Sequence, residues 1–247
     1  MYDMDKYEQL KLILNDKAQR IVFFTGAGIS VPSGIPDFRS ASGLYNEKGY
    51  LVSPEEMVSH HFFMQNPKEF YSFYFKKMVY LNAKANAAHI YIGELEKKNK
   101  NTFVVTQNID GLHQAGGSQN VIELHGSIHR NFCTSCDEFY SLEEVISIRD
   151  EKGIPRCKRC GGIIKPDVVL YEEQLVQNNI YNAINVISKA TTLVVIGTSL
   201  AVYPAASFLN YFKGNHLIVI NKDKTSYDSY CELVFNEDII SVINKIK

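Results

Sequence analysis

A glycine-rich loop that follows a short apolar run constrains the fold of this chain more than any other feature. Residues 20–24 read R-I-V-F-F, and residues 25–40 continue T-G-A-G-I-S-V-P-S-G-I-P-D-F-R-S. Nucleotide phosphates bind at such strand-to-loop turns in open α/β sheets. Gly26 and Gly28 would let the backbone approach a pyrophosphate, and a helix beginning near Ala27 to Ser30 would offer N–H groups to an anion. The third glycine of G-x-G-x-x-G is replaced by Val31, so the loop is either a structural turn or a cofactor site.

Apolar runs that alternate with helical patterns predict the architecture. Short buried strands are expected at residues 102–106, 121–124, 191–196 and 216–220, and amphipathic helices at residues 5–17, 85–98 and 237–246. This alternation is typical of a mostly parallel, doubly wound sheet, so we predict an α/β fold. Residues 44–81 are rich in aromatic side chains and predict a helical flap. Its rings either form a core, which we favour, or line a tunnel for part of a substrate.

Four of the five cysteines form two C-x-x-C pairs, Cys133 with Cys136 and Cys157 with Cys160. Two such turns point four sulfur atoms at one centre, which is the tetrahedral site that zinc prefers. Four protein ligands leave no open position for water or substrate, so we predict a structural zinc, with a redox pair as the alternative. Cys231 is expected to be a buried apolar residue in a strand.

Composition and charge argue against several classes of protein. Of 247 residues, 45% are hydrophobic and 21% are charged, as in an ordinary globular enzyme or binding protein, and the formal net charge is −1. The chain has no basic tract that would follow a phosphate backbone, so we expect no direct nucleic-acid ligand. No stretch is long and apolar enough to span a bilayer, and residues 1–8 do not resemble an export signal. We therefore expect no membrane association and a cytoplasmic location.

Polar residues that follow the predicted strands are the candidates for chemistry, because parallel sheets bind ligands at the carboxyl ends of their strands. Residues 107–113 read Q-N-I-D-G-L-H, and His125 follows the strand at residues 121–124. A neutral His125 could act as a general base, although a histidine satisfied within the core would fit the same position. Asp110 either caps a helix beginning at Gly111 or accepts a hydrogen bond from a carboxamide. No comparable setting exists for His60, His61, His129 and His216.

A series of motifs in one order resembles the sirtuins. The motifs are G-A-G-I-S at 26–30, G-I-P-D-F-R-S at 34–40, T-Q-N-I-D-G-L-H at 106–113, E-L-H-G at 123–126, the two C-x-x-C pairs, P-D-V-V at 166–169, G-T-S-L at 197–200 and P-A-A at 204–206. Together they cover nearly the whole chain. The resemblance implies an NAD-dependent protein lysine deacylase of the bacterial type, in which an acyl-lysine peptide binds between a large and a small domain.

The resemblance also implies domains and site residues. The implied domains are a Rossmann-like domain of residues 1–40, 82–129 and 166–247, a helical flap of residues 41–81, and a zinc ribbon of residues 130–165. NAD would contact Ala27, Val31, Phe38, Arg39, Gln107, Ile109, Asp110, Thr198, Ser199, Asn221 and Ile239. His125 would be the base, Asn108 would lie beside the ribose, and the cysteine pairs would hold zinc. The substrate would contact Val168, Val169, Tyr171 and Val202, and its main chain would pair with residues 168–171 as an added strand.

The reaction that the resemblance implies consumes NAD. Nicotinamide, held apart by Asp110 and Phe38, leaves the ribose, and the acyl oxygen attacks the ribose carbon that it leaves, giving an imidate joined to ADP-ribose. His125 takes the proton from a ribose hydroxyl, which attacks the imidate carbon, and free lysine and O-acyl-ADP-ribose follow. Acetyl is expected to be the main acyl group, because residues 74–77, Y-F-K-K, only partly match the Tyr-x-x-Arg pair of sirtuins that remove succinyl groups.

Two positions depart from the family pattern, and two other functions stay open. The family commonly has Phe-Gly-Glu after the substrate strand, where this chain has Tyr171-Glu172-Glu173, so the loss of a glycine bears on the backbone path and on peptide recognition. Val31 stands where many bacterial members carry a small hydroxyl residue. The other functions are ADP-ribosyl transfer to an amino acid or water, and a zinc-ribbon module that senses NAD without turning it over.

Overall fold

The computed structural model describes residues 4–37, 52–201 and 203–247. Its strands are β1 (Ile21–Thr25), β2 (Thr102–Thr106), β3 (Val121–Glu123), β4 (Gly126–Cys133), β5 (Phe139–Ser141), β6 (Ile164–Val168), β7 (Thr192–Ile196), β8 (His216–Ile220) and β9 (Leu233–Phe235). Its α-helices are α1 (Lys6–Asn15), α2 (Pro54–Met57), α3 (His60–Gln65), α4 (Pro67–Lys77), α5 (Ala87–Lys98), α6 (Leu112–Ala115), α7 (Leu142–Ser147), α8 (Gln177–Ser188) and α9 (Ile239–Ile246). Further 3₁₀ helices include Ala27–Ser33 and Ala205–Tyr211. Within these described ranges, no helix has both the length and the apolar character to cross a membrane.

Six parallel strands form the large sheet, in the order β3-β2-β1-β7-β8-β9. Counted within the sheet, this is the 3-2-1-4-5-6 order of the Rossmann fold, and the direction of winding reverses between β1 and β7. The strands expected from the apolar runs are confirmed. The edge strand β9 was not predicted, because three residues are too few to show a period.

Helices cover both faces of this sheet, and β1 shows why. All five of its residues are buried. Ile21 and Phe23 belong to the core that includes α1, α5 and α9, whereas Val22 and Phe24 belong to the core that includes α8 and the 3₁₀ helix Ala205–Tyr211. Successive side chains of a strand point to opposite faces, so a strand covered on both sides is largely apolar. The predicted doubly wound α/β fold is confirmed.

A second, antiparallel sheet of three strands, in the order β5-β4-β6, follows β3 along the chain. It carries the four paired cysteines at one end. The strands β4 and β6 extend past residues 130 and 165, where the sequence suggested domain boundaries. The domain boundaries expected from the sequence, between a Rossmann-like domain, a flap and a zinc ribbon, therefore stay predictions.

The described part of the flap consists of α2, α3 and α4, and its aromatic rings are mostly buried. They form a cluster with apolar residues of β4 and β6 that contains Phe62, Phe63, Phe70, Tyr71, Phe73 and Tyr74. Ring centroids lie 5.0 Å apart for Phe63 and Phe70, at an interplanar angle of 76°. Edge-to-face pairs of this kind are a favourable arrangement of aromatic rings. The interpretation of the aromatic residues as core is confirmed.

Candidate active site and metal centre

A cavity of about 1130 Å³ opens at the carboxyl ends of β1 and β7, where the strand order reverses. Open α/β sheets bind ligands at this point, and the volume exceeds the range of roughly 300–1,000 Å³ that is common for small-molecule sites. Phe38, Arg39 and Val202 lie outside the described residues. Every other residue that we assigned to catalysis, cofactor or substrate lines this cavity, namely Ala27, Val31, Gln107, Asn108, Ile109, Asp110, His125, Val168, Val169, Tyr171, Thr198, Ser199, Asn221 and Ile239.

The loop after β1 is packed tightly against the loop after β7. A Cβ atom at Gly28 would lie 2.7 Å from Cα of Gly197, and one at Gly26 would lie 2.7 Å from Cβ of Thr198. The N–H groups of Gly26 and Gly28 donate to the carbonyls of Ile196 (3.0 Å) and Gly197 (2.8 Å). These glycines therefore allow the two loops to pack closely, and the N–H groups of Gly26 and Gly28 are already used within the chain. The expected helix after β1 is present as the 3₁₀ helix Ala27–Ser33, and anion binding by its other N–H groups stays a prediction.

His125 lies in the cavity wall, where the chain passes from β3 to β4. Its Nδ1 is 2.8 Å from the carbonyl oxygen of Gln107, so Nδ1 is the protonated nitrogen and Nε2 is an acceptor. The N–H of Gln107 in turn donates to the carbonyl of Thr25 at the end of β1, at 2.9 Å. Burial lowers the pKa of His125, and the bond to Gln107 opposes this shift. The ring is therefore neutral at physiological pH, which is the state that a general base needs.

Ser30, Asn108 and Asp110 form one hydrogen-bonded group in the cavity wall. The Ser30 hydroxyl donates to Asp110 Oδ2 at 2.6 Å, and Asn108 Nδ2 donates to Ser30 Oγ at 3.1 Å. Asp110 Oδ1 also accepts from the N–H of Leu112 at 2.9 Å, so the carboxylate lies at the start of α6, whose N-cap residue is Gly111. Ser30 is the last residue of the G-A-G-I-S motif, and the sequence gives no further signal of its contact with residues 108 and 110. Ser30 fixes the two side chains that we expected near the ribose and the nicotinamide.

The four paired cysteines are brought together, with all their Sγ atoms within 4.8 Å of one another. The Sγ–Sγ distance is 3.4 Å for Cys133 and Cys160, and 3.7 Å for Cys136 and Cys157. A disulfide needs about 2.0 Å, whereas four sulfur atoms around a tetrahedral zinc with bonds of about 2.3 Å lie about 3.8 Å apart. The cluster fits the structural zinc site that we predicted. The fifth cysteine, Cys231, is half-buried ahead of β9 rather than within a strand, so that expectation is wrong.

A family model described as "Sir2 family" matches residues 26–204, which is well over half of the chain. This chain belongs to the Sir2 family. A protein of Clostridium perfringens (strain 13 / Type A) named NAD-dependent protein deacetylase is 53% identical over 244 residues, which are 98% of each chain.

Solved Sir2 structures are similar along nearly the full length. A structure of Sir2 with a p53 peptide and NAD+ has a TM-score of 0.84 and 37% identity, and covers 98% of this chain and 97% of that one. A structure of a Sir2 variant with a deacetylated p53 peptide and 3′-O-acetyl ADP ribose has a TM-score of 0.88 and 36% identity, and covers 97% of this chain and 96% of that one. The resemblance found in the motifs is therefore confirmed at the level of the whole fold.

In this Sir2 family member, His129 contacts the loop of residues 109–111, a contact that the sequence did not predict. His129 Nε2 donates to the carbonyl of Asp110 at 3.1 Å, and the preceding N–H of Ile128 donates to the carbonyl of Ile109 at 3.0 Å. The ring of His129 also fills the space of a Cβ atom at Gly111, which has a φ of 71°. Strand β4 therefore holds the loop that carries two of the expected nicotinamide-pocket residues. The sequence carries no signal that joins position 129 to position 110.

An ion-pair network joins the two sheets next to His125. Arg130 Nη1 lies 2.7 Å from Glu123 Oε2, and Arg130 Nε lies 2.8 Å from Asp167 Oδ2. Glu123 ends β3 and is 8% exposed, while Asp167 lies on β6. One guanidinium thus binds a carboxylate from each sheet, with the directional geometry that arginine provides. This fixes the path of the two residues between Glu123 and Gly126.

Residues 168–171, which the resemblance assigned to the substrate, pair with the flap. The N–H of Tyr171 donates to the carbonyl of Val58 at 3.1 Å, and the N–H of His60 donates to the carbonyl of Tyr171 at 3.0 Å. The N–H groups of Val169 and Leu170 also donate within the chain, at 3.0 Å to His125 O and at 2.9 Å to Glu173 Oε2. The added-strand role of this segment stays a prediction, and a substrate would use its remaining main-chain groups or displace one of these contacts.

A β-turn of residues 170–173 follows, closed by the N–H of Glu173 donating to the carbonyl of Leu170 at 3.0 Å. Its third residue, Glu172, has a φ of 76°. Turns of type II need a positive φ at this position and favour glycine there. The glutamate therefore adopts the left-handed conformation that is natural for glycine, at a cost of roughly 1–2 kcal/mol. The departure from Phe-Gly-Glu changes the side chain and keeps a glycine-like backbone.

Zinc content should follow the cysteine cluster. Cys136→Ser should abolish stoichiometric zinc and lower the melting temperature, because a small metal-bound unit draws much of its folding free energy from the metal. Cys231→Ser should keep one zinc ion per chain and serves as the control. Metal analysis of the purified proteins, with thermal melting before and after chelation, measures both effects. Full zinc content in Cys136→Ser would contradict the four-cysteine site.

Proposed function

We propose that this chain is an NAD-dependent protein lysine deacetylase that transfers the acetyl group to ADP-ribose and releases nicotinamide. One observation carries the proposal: a neutral His125 with an accepting Nε2 stands in the wall of a large cavity at the reversal point of a Rossmann-order sheet. The name of the C. perfringens relative and the peptide and NAD+ in the Sir2 structure support it. Acyl-lysine peptides are the partners that it requires.

The residues around the cavity fit NAD as a co-substrate. Carboxamide, carboxylate and hydroxyl groups are present for a ribose, a pyrophosphate-linked nucleotide and a nicotinamide amide. We assign NAD contacts to the residues expected from the resemblance, and Phe38 and Arg39 belong to that set on the sequence alone. Asp110 would accept from the nicotinamide amide, and Asn108 would lie beside the ribose. The bond from His125 Nδ1 to Gln107 leaves Nε2 to take the proton of a ribose hydroxyl.

Acetyl is proposed as the main acyl group, because the flap side of the cavity is largely apolar. Val58, Ile109 and Ile128 line it and suit a small uncharged chain. Tyr74 and Lys77 also line the cavity, and the Tyr74 hydroxyl is buried with no hydrogen-bond partner in the described part of the chain. Because of these two residues, removal of acidic acyl groups is the alternative that a direct comparison of peptides tests. A cytoplasmic location and the lack of nucleic-acid or membrane partners stay predictions from the sequence.

Replacing His125 tests the base. His125→Ala should lower the rate of deacetylation by about 10²–10⁴-fold, as expected for loss of a general base, while NAD still binds. His216→Ala is the control, because His216 begins β8 at the opposite end of the sheet and pairs with Glu232. Steady-state assays and calorimetric titration with NAD measure the two quantities. Most of the activity remaining in His125→Ala would show that another group is the base.

The pH profile should report the lowered pKa of His125. Because burial lowers this pKa below its ordinary value of 6.5, the base stays neutral as pH falls towards 6.5 and is lost only at more acidic pH. The value of kcat/KM should therefore be constant above about pH 7 and fall on the acidic side of 6.5. Rates measured across pH with buffers of constant ionic strength give the profile. If kcat/KM already begins to fall above pH 7 as the pH is lowered, the assignment of His125 as the base is contradicted.

The acyl preference is tested with two peptides that differ only in the acyl group. An acetyl-lysine peptide should be cleaved with a higher kcat/KM than its succinyl counterpart, because a carboxylate would lose solvation beside Val58 and Ile128. The competition is measured by mass spectrometry of both peptides in one reaction. Faster cleavage of the succinyl peptide would reverse the ranking and assign the specificity to Tyr74 and Lys77.

A further inference from the structure

The carboxylate of Glu172 binds the first turn of the flap helix α3 at two points. Oε2 accepts from the main-chain N–H of His61 at 3.0 Å, and Oε1 lies 2.7 Å from His61 Nδ1. The neighbouring Glu173 makes a parallel contact, with Oε1 at 2.8 Å from His60 Nδ1. These side chains reinforce the main-chain bridge between Ser59 and Tyr171. We call the contacts of Glu172 with His61 the flap clamp.

The backbone of Glu172 shows that its side chain, rather than its conformation, distinguishes it from glycine. Its φ of 76° is one that glycine adopts freely and that other residues hold only when surrounding contacts fix them. The flap clamp is such a contact. A glycine at this position would keep the turn and lose the attachment to α3, so the two effects of the residue can be separated by substitution.

The clamp lies between two parts of the cavity that an acyl-lysine peptide would touch. Val169 donates its N–H to the carbonyl of His125, so residues 168–171 are bonded to the base on one side and to the flap on the other. Glu172 itself lines the cavity, as do Tyr171 and the flap residue Val58. A shift of α3 relative to residues 168–171 would therefore change the width of the opening between the flap and the strand.

We propose that Glu172 is a positioning residue for the acyl-lysine peptide, holding the flap and residues 168–171 in the arrangement that binds it. The proposal rests on the proposed function. Its physical basis is preorganisation: when the clamp already fixes both walls, peptide binding does not have to order them. Glu172 and His61 are about half exposed, so their contact is screened by solvent and adds little to global stability. We therefore expect the flap clamp to act on the affinity for the peptide.

Steady-state kinetics with an acetyl-lysine peptide tests this role in the full chain. Glu172→Gly should raise the KM for the peptide by about tenfold, which is the scale of losing hydrogen bonds to a charged group. Both kcat and the KM for NAD should stay within about twofold of the values for the natural chain. The substitution removes peptide binding energy that is equal in the ground state and the transition state, and it leaves the base unchanged. Glu172→Gln keeps an oxygen that can accept from the His61 N–H, and should restore most of the peptide affinity.

A double substitution shows whether the effect passes through His61. In a His61→Ala background, Glu172→Gly should raise the peptide KM by much less than in the natural chain, because the side-chain half of the clamp is already gone. Asp137→Gly is the control for the general effect of placing glycine at a residue with positive φ. Asp137 has a φ of 55° and is not among the cavity-lining residues. The control substitution should leave both KM values unchanged.

Three results would overturn the proposal. They are an unchanged peptide KM in Glu172→Gly, an equal rise in the KM for NAD, and full additivity with His61→Ala. Failure of the proposed function is a separate outcome, because it appears in the natural chain as a lack of NAD-dependent deacetylation. A natural chain that is active, beside a Glu172→Gly variant with unaltered peptide KM, would refute the clamp alone.

Discussion

The contact between the loops that leave β1 and β7 is the constraint on which the site depends. A Cβ atom at Gly197 would lie 2.4 Å from the main-chain nitrogen of Ile29, so neither loop can move apart from the other without losing this contact. The two strands are neighbours, and the connections beyond them wind in opposite directions across the sheet. The cavity forms at this divergence. Its shape is therefore a consequence of the strand order and of glycines that permit the backbones to touch.

The second requirement is a fixed relation between the two sheets, because His125 lies in the connection from one to the other. On the side of the large sheet, its Nδ1 is held by Gln107, whose N–H is held by β1. On the side of the small sheet, Arg130 binds both Glu123 and Asp167, and His129 holds the carbonyl of Asp110. The flap aromatics and the cysteine cluster pack against the small sheet and bury its apolar side chains. The geometry of the base thus depends on contacts well outside the cavity.

The sequence predicted those parts of the molecule in which local pattern decides structure. A run of four apolar residues, Ile21 to Phe24, is enough to identify β1, because a strand covered on both faces is mostly apolar. Two C-x-x-C turns likewise identify four convergent sulfur atoms. The predictions failed or were silent where the structure depends on contacts between distant residues. Cys231 lies two residues before β9 and is not part of it, and β9 is too short to show a period. The contact of His129 with residue 110 cannot be predicted from motif spacing, and neither can that of Glu172 with His61. Each contact joins two segments that are distant in sequence and are brought together only by the fold.

The most direct test of the account is the product balance of the purified chain with NAD and an acetyl-lysine peptide, followed by mass spectrometry. The account predicts that each deacetylated peptide is matched by one nicotinamide and one O-acetyl-ADP-ribose, and that none of the three forms when NAD is left out. Nicotinamide release with the acetyl group still on the peptide, or deacetylation that yields free acetate without NAD, would contradict it.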